Sequence, residues 1–278
     1  MMRSLWTAAS GMTSQQLNID TISNNLANVN TTGYKKERME FKTLLYQTMQ
    51  RADQDPANTP ARPVNLQVGH GVRPIATARA FTTGSFQRTD NAQDFAIEGD
   101  GFFIINRGAD PATGEDDITY TRDGSFKTAV VADGTMLTTA EGYPVLSVDG
   151  EPIVIPPEVL MKDVTVDENG NMGYANAEGQ YEDLGFQFAL VQFSNPQGLE
   201  SVGSNLFKQT VASGEPLSEA DGETNKTSRL RQNFLEMSNV AVANEMVDLI
   251  IAQRAYDLNS KVITTSDEML QTANALKR

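Results

Sequence analysis

Both ends of this 278-residue chain carry stripes of mostly apolar residues at alternating three- and four-residue spacing, and the middle does not. The N-terminal stripe consists of Leu5, Ala8, Met12, Gln15, Ile19, Ile22, Leu26 and Val29. The C-terminal stripe consists of Ile251, Ala255, Leu258, Val262, Thr265, Met269, Thr272 and Leu276. This spacing is typical of coiled-coil helices. A chain with such a helix at each end is expected to join other chains there, so the pattern favours assembly over catalysis.

The outer face of the first predicted helix is polar but almost uncharged. Asp20 is the only charged residue between Arg3 and Lys35, and the other polar residues are Ser, Thr, Gln and Asn. A solvated helix usually carries Lys and Glu, so this face favours a helix surrounded by protein. A buried helix in a monomer core is the alternative. Because its apolar stripe alone does not offset the entropy of ordering it, we expect residues 1–30 to be largely disordered in a monomer.

The charge distribution limits the partners of this chain. The net charge is −14, yet residues 1–35 carry a net charge of +1 and residues 223–278 carry none, so the middle is acidic. An acidic middle disfavours binding to nucleic acid or anionic lipid. No apolar run reaches the ~20 residues of a membrane span, so membrane insertion is not expected. The N-terminus also lacks the continuous apolar core of a signal peptide, which predicts export without a cleaved signal.

The segment after the first helix is predicted to be an extended connector. Residues 53–74 contain Pro56, Pro60, Pro63 and Pro74, and each proline fixes φ and removes a hydrogen-bond donor, which excludes a regular helix. Residues 36–50 fit either a helix or an extended arm.

The rest of the chain is predicted to be strands followed by one helix. From about residue 75 to 209, alternating runs are separated by the turn dipeptides Asp123-Gly124, Asp133-Gly134, Asp149-Gly150 and Asn169-Gly170. Residues 223–278 contain neither Pro nor Gly, which leaves room for a long helix capped by Ser238 or Asn239.

The fold class that follows is α+β, with N- and C-terminal coiled-coil-like helices flanking an extended connector and an all-β central domain. The expected boundaries are 1–35 plus 230–278 for an inner helical core, 36–75 plus 210–229 for the connector, and 76–209 for an outer all-β domain.

No constellation of residues points to catalysis, a cofactor or a metal. His70 is the only histidine, and it lies between two glycines without a nearby nucleophile or carboxylate. The chain has no cysteine, so thiolate metal sites and disulfides are excluded. Asp94, Glu98 and Asp100 lie close together in the sequence and keep a two-carboxylate hydrolase open as a rival. Residues 167–171 lack the ligand spacing of a calcium loop.

Five motifs, in order along nearly the whole chain, resemble the bacterial flagellar rod and hook axial proteins. They are residues 24–35 (NNLANVNTTGYK), 99–103 (GDGFF), 120–126 (YTRDGSF), 238–245 (SNVAVANE) and 253–256 (QRAY). The opening residues 3–6 and the segment from Tyr46 to Pro74 are similar to the distal rod branch of that family. The proximal rod branch is the nearest rival.

The resemblance implies a structural axial subunit with no enzymatic activity and no cofactor. In that family, terminal helices form an inner layer, a connector lies outside it, and subunits stack helically into a hollow, rigid drive shaft. The implied partners are further copies of the chain, the proximal rod and hook proteins, the surrounding ring bushing and the flagellar export apparatus. The implied location is the basal-body rod crossing the periplasm.

Two sets of residues are candidates for the contacts between subunits. The axial packing set is Leu5, Met12, Ile19, Ile22, Asn25, Leu26, Asn28, Val29, Gly33, Tyr34, Val240, Val247, Ile251, Arg254, Tyr256, Leu258, Val262, Met269 and Leu276. The connector set is Tyr46, Pro56, Pro60, Pro63, Leu66, Gly69, Gly71 and Pro74. A phage-tail or adhesin-like binding module is the rival from a different class, and it would need an exposed aromatic patch.

Overall fold

The computed structural model describes residues 2–52, 64–109, 116–132, 134–175, 181–220, 222 and 227–276. Their contacts divide the chain into two compact units. The first, here the helical unit, comprises Met1–Ala27, Glu37–Ala78 and Ala241–Arg278. The second, here the β-rich unit, comprises Asn28–Lys36 and Arg79–Val240.

The helical unit contains the two long helices and four strands. Its elements are α1 (Met2–Ala27), β1 (Glu37–Thr43), β2 (Tyr46–Gln50), β3 (Leu66–Gly69), β4 (Val72–Arg79) and α2 (Val242–Ala275). β1 pairs with β4, and β2 forms an antiparallel ribbon with β3 in which Tyr46 lies opposite Gly69. Residues 36–50 are therefore extended rather than helical, because both strands find partners for their backbone groups in this unit. Among the described residues, neither helix has the length and apolar character that a membrane span requires.

The ends of the helices differ in detail from the sequence prediction. α1 ends at Ala27, and a turn closed by the Thr31 N–H on the Asn28 carbonyl follows it. α2 begins at Val242 with Ala241 at its N-cap, so the predicted caps Ser238 and Asn239 are wrong. Both polar side chains are used elsewhere in the β-rich unit: Ser238 Oγ accepts the Val240 N–H, and Asn239 bonds the backbone at Lys36 and Ala80.

The β-rich unit contains sixteen strands among the described residues. They are β5 (Phe86–Arg88), β6 (Phe95–Glu98), β7 (Phe102–Ala109), β8 (Asp116–Thr121), β9 (Lys127–Val131), β10 (Gly134–Thr138), β11 (Val154–Ile155), β12 (Val164–Val166), β13 (Asn171–Ala175), β14 (Tyr181–Gln187), β15 (Leu190–Gln192), β16 (Glu200–Gly203), β17 (Leu206–Lys208), β18 (Leu217–Ser218), β19 (Arg229–Gln232) and β20 (Phe234–Glu236).

These strands form one large sheet and several small ones. The six-stranded sheet has the order β16-β17-β8-β7-β15-β18. Two three-stranded sheets have the orders β11-β10-β9 and β12-β13-β14, and β19 pairs with β6 and β20 with β5. The Asn169-Gly170 turn joins antiparallel neighbours β12 and β13, as its sequence predicts. Asp123-Gly124 instead carries the chain from β8 to β9, which belong to different sheets.

The central strand β7 is covered on both faces. Phe103 and Ile105 point into one apolar cluster with Phe95, Phe126 and Phe188. Phe102, which alternates with them, belongs to a second cluster on the opposite face. The side chains of Phe102, Phe103 and Ile105 are fully buried. This sandwich-like packing follows from the period of two along a strand, and it gives the β-rich unit its own core.

The observed units differ from the predicted boundaries at four places. Residues 37–75, expected in a separate connector, belong to the helical unit. Residues 28–35, expected in the helical core, belong to the β-rich unit. Residues 210–229 are not a connector, because Leu217–Ser218 is the edge strand of the six-stranded sheet. Residues 230–240 belong to the β-rich unit rather than the helical one, because their strands pair with β6 and β5. Each difference arises from hydrogen-bond partners that are distant in the sequence.

Candidate assembly site

The two terminal helices pack against each other in an antiparallel pair inside the helical unit. Ser4 Oγ lies 3.4 Å from Ser266 Oγ, and Asn25 Nδ2 donates to Glu245 Oε2 at 3.2 Å. Between these contacts, a Cβ at Gly11 would lie 2.9 Å from Asn259 Nδ2, so the glycine permits close approach. As residue numbers rise along one helix they fall along the other.

The face of α2 turned to α1 is not the stripe singled out from the sequence. Buried or half-buried positions recur along α2 at spacings of three and four: Glu245, Leu249, Ala252, Tyr256, Asn259, Ile263, Ser266 and Leu270. This covered face mixes polar and apolar side chains. The apolar residues chosen from the sequence lie on another face of the helix.

That second face is an exposed apolar stripe, defined here as Val247, Ile251, Leu258, Val262, Met269 and Leu276. Their side chains are between 44% and 84% exposed. Arg254 is exposed among them, whereas Tyr256 is half-buried on the covered face. α2 is therefore a helix with two faces able to pack, and among the described residues only one of them is covered.

The candidate residues of α1 mostly face inward. Ile22 and Asn25 are buried, and Leu5, Met12, Ile19 and Leu26 are half-buried. Just past the helix, Asn28 and Val29 are half-buried, and Gly33 and Tyr34 are buried. Those four belong to the β-rich unit, as does the buried Val240, so the structure does not bring them into the helical unit with the rest of the set.

Asn25 ties three elements of the helical unit together. Its Oδ1 accepts the Glu37 N–H at 2.9 Å, and its Nδ2 donates to the Glu37 carbonyl at 2.7 Å. The same Nδ2 reaches the Glu245 carboxylate in the first turn of α2. The carboxamide therefore fixes the end of α1, the start of β1 and the start of α2 through directed hydrogen bonds.

The connector set forms the exposed β2–β3 ribbon and the strand that follows it. Tyr46 and Leu66 are exposed, and Gly69 and Pro74 are half-buried. Gly71 has φ of +111°, and a Cβ there would collide with Ser10 Oγ of α1, so glycine is required on both counts. Pro56, Pro60 and Pro63 lie outside the described residues.

The β-rich unit contains a buried ionic cluster that was not predicted from the sequence. Lys35 Nζ lies 2.6 Å from Glu236 Oε1, and Arg122 Nη1 lies 3.5 Å from Glu236 Oε2. Both Lys35 and Glu236 side chains are fully buried, and Arg122 is 1% exposed. Burial lowers the pKa of the Lys35 ammonium from 10.5 to about 8, and repulsion by Arg122 acts in the same direction, whereas Glu236 opposes both. The sequence signals were two basic residues inside the motifs, Lys35 in residues 24–35 and Arg122 in residues 120–126.

Two of the rival carboxylates, Asp94 and Glu98, are engaged with other side chains. The Asp94 side chain is buried and accepts a hydrogen bond from Asn91 Nδ2, and Glu98 is paired with Arg231 at 2.7 Å on the surface. His70 is exposed at the end of the ribbon. Within the described residues, no group of three or more His, Cys, Asp or Glu side chains is placed to hold a metal ion.

Family profiles match three parts of the chain. The profile described as "Flagella basal body rod protein" matches residues 5–35, "Flagellar hook protein FlgE/F/G D1 domain" matches residues 96–174, and "Flagellar basal body rod FlgEFG protein C-terminal" matches residues 231–276. The matches fall on both ends and the centre, as the five sequence motifs do.

Curated relatives match over the full length. The "Flagellar basal-body rod protein FlgG" of Borreliella burgdorferi is 48% identical, covering 100% of both chains. The protein of the same name from Caulobacter vibrioides is 41% identical, covering 99% of this chain and all of its own. Among solved structures, the Helicobacter pylori flagellar hook protein FlgE2 aligns over 63% of this chain and 47% of its own, with 15% identity and a TM-score of 0.24, too low for a comparison of folds.

The predicted family is confirmed by these matches, and so is a structural rather than an enzymatic role. Full-length identity to proteins named FlgG also favours the distal rod branch over the proximal one. This chain belongs to the FlgG family of flagellar basal-body rod proteins and is a structural subunit of the distal rod.

Proposed function

We propose that this chain polymerises helically through its terminal helices into the hollow, rigid shaft of the distal rod, which transmits torque from the motor to the hook. The observation that carries this proposal is the exposed apolar stripe on α2. Within one chain, α1 covers a different face of α2, so the stripe is open to helices of neighbouring copies. A soluble monomer rarely leaves such a continuous apolar surface without a partner.

The geometry of the stripe suits coiled-coil-like packing between subunits. Val247, Ile251 and Leu258 recur at spacings of four and seven, and burying each such side chain contributes about 1.5–3 kcal/mol. The terminal segments 1–35 and 223–278 carry net charges of only +1 and 0, so many copies pack around one axis without strong mutual repulsion.

The β2–β3 ribbon is the proposed stiffening contact between adjacent subunits. Both strands are exposed almost throughout, and Tyr46, Met49 and Leu66 leave more than half of their side-chain surface open to water. A two-stranded ribbon has little stability of its own, which favours a role completed by a neighbouring copy. A subunit held by this additional contact has fewer ways to bend against its neighbours.

The remaining partners follow from the place of a distal rod in the basal body. We expect the polymer to join the proximal rod on one side and the hook on the other, and its acidic surface to face the ring bushing. The subunits are expected to reach the growing end through the flagellar export apparatus, without a cleaved signal peptide. This route predicts that the exported chain begins with the same residues as the cytoplasmic one.

Glutamine substitutions at apolar and at charged positions in the same turns of α2 test the polymerisation surface. The double variant Leu258→Gln, Val262→Gln should raise the concentration needed for polymerisation at least tenfold, because the buried area between copies is lost. The matched control is Asp257→Gln, Lys261→Gln, two exposed positions in the same turns that lie off the stripe. Sedimentation and electron microscopy of purified protein measure the assembly, and circular dichroism checks the monomer. Equal assembly of the two double variants would contradict the proposal.

A further inference from the structure

The chain segment just past α1 is folded into the β-rich unit through partners about two hundred residues away. The Gly33 N–H donates to the Glu236 carbonyl at 2.8 Å, and the Lys36 N–H donates to Asn239 Oδ1 at 2.7 Å. Each contact joins a residue of one sequence motif, Gly33 of 24–35 or Asn239 of 238–245, to a residue just outside the other motif. The backbone geometry is demanding, since Gly33 has φ of +67° and a Cβ there would lie 2.7 Å from the Asp123 nitrogen.

Glu236 is the centre of these contacts. Its Oε1 accepts from Lys35 Nζ and also from the Gly84 N–H, at 2.8 Å. Lys35 Nζ donates in addition to the Thr82 carbonyl at 2.9 Å. One carboxylate therefore fixes the segment past α1, the loop before β5 and strand β20 together.

Arg122 completes the cluster from the end of β8. Its Nη2 donates to the Gly99 carbonyl at 2.7 Å, and its guanidinium lies 5.1 Å from the centre of the Phe102 ring. The next residue, Asp123, accepts a hydrogen bond from Thr32 Oγ1 at 2.9 Å. A buried cluster of this kind is sensitive to the loss of a single member, because a charge left behind cannot reach water.

We propose that Lys35, Glu236 and Arg122 form a folding joint that keeps residues 28–36 ordered as part of the β-rich unit whether or not α1 is folded. All the partners named above lie in residues 28–36 and 79–240, the two stretches of that unit. The unassembled subunit then has a preformed body that holds both the last residue before Glu37 and the last residues before α2. This inference concerns the fold of one chain and does not depend on the proposed polymerisation.

The joint has a consequence for how the helices form. Helix formation is limited by the cost of fixing the first turn. Residue 28 follows α1 directly, and Val240 is two residues before α2, and both belong to the joint's unit. Each helix can therefore grow from a chain end that is already held, instead of from a freely moving segment.

Amide hydrogen exchange on the full-length monomer, at a concentration below polymerisation, tests the joint. The reporter amides are Gly33, Lys36 and Gly84. We expect their exchange to be as slow as that of the β6–β19 pair, within about tenfold, and slower than that of α1 residues 10–25. Exchange of Gly33 and Lys36 at the rate of the α1 amides would overturn the proposal.

Paired variants test whether the cluster causes the slow exchange of the reporter amides. Glu236→Gln keeps the size of the side chain but leaves Lys35 and Arg122 without their carboxylate, and should raise exchange at the three reporter amides at least tenfold. The control Glu98→Gln breaks an exposed pair with Arg231 and should change those rates less than twofold. The double variant Lys35→Met, Glu236→Gln should recover part of the protection, and it supplies the comparison if Glu236→Gln alone does not fold. Equal reporter rates in Glu98→Gln and either Glu236 variant would overturn the proposal.

Discussion

At the scale of single residues, buried polar side chains hold this subunit together. Asn25 and Glu236 each join segments that lie far apart in the chain, one in the helical unit and one in the β-rich unit. Apolar contacts alone would tolerate several registers between such segments. Directed hydrogen bonds and ion pairs do not, because each mispaired register leaves a buried polar group without a partner.

The titration of Lys35 gives a pH-dependent signature of the cluster. Its pKa is lowered in the folded state, from 10.5 to about 8, so below pH 8 both states are protonated and burial of the charge costs stability in full. Between about pH 8 and 10.5 the unfolded chain holds one more proton than the folded one, so the free energy of unfolding rises with pH. Above 10.5 the difference is complete, at up to about 3 kcal/mol.

Urea unfolding of the wild type and Lys35→Met between pH 7.5 and 10.5 measures this effect. The free energy of unfolding of the wild type should increase relative to that of the variant across this range. Subtracting the free energy of unfolding of the variant removes the contribution of tyrosine titration, including that of Tyr120, whose pKa is raised by burial. Curves that stay parallel would show that Lys35 titrates at its ordinary pKa in the folded chain.

At the scale of elements, the β2–β3 ribbon is the part of the subunit that can be removed with least disturbance. The Leu44 N–H donates to the Gly71 carbonyl at 2.9 Å, so the chain enters and leaves the ribbon at neighbouring positions. A deletion of residues 46–63 alone would leave β3 without its partner β2. A deletion of residues 46–69 removes both strands and brings Leu45 next to His70.

The deletion of residues 46–69 should leave export and folding of the subunit intact and make the rod flexible or curved. The physical reason is the loss of a contact that restrains neighbouring subunits, while α1, α2 and the β-rich unit keep their own partners. Electron microscopy of rods from cells expressing the variant measures their curvature, and circular dichroism of the monomer is the control. Straight rods with the wild-type bending stiffness would remove the stiffening role from the ribbon.

At the scale of the whole molecule, the proposed polymerisation would change the surroundings of the helices. Trp6 is the only tryptophan of the chain, and its side chain is 74% exposed on the outer face of α1. In a shaft built from these helices, that face would meet neighbouring copies. A single indole then reports assembly without interference from other sites.

On polymerisation, Trp6 emission should shift to shorter wavelength and become less accessible to acrylamide, because the indole leaves water. The variant Leu258→Gln, Val262→Gln, at the same concentration, should retain the emission of the monomer. If full-length polymers form while emission and quenching stay unchanged, the outer face of α1 is not part of the contact between copies.

The sequence by itself determined the parts of this protein that depend on local pattern. The three-four spacing indicated both helices, the absence of Pro and Gly after residue 222 allowed the length of α2, and alternating runs separated by turn dipeptides indicated the strands. Hydrophobic periodicity is sufficient here because neighbours along the chain decide each outcome. The five motifs likewise identified the family.

Only the tertiary structure decided which residues far apart in the chain become partners. It turned the mixed face of α2, rather than its apolar stripe, toward α1. It gave residues 28–36 to the β-rich unit, because Lys35 finds Glu236 there, and it used Ser238 and Asn239 in that unit instead of at a helix cap. Such pairings depend on distant parts of the chain, since the cost of burying a charge is reduced only when its partner is in place.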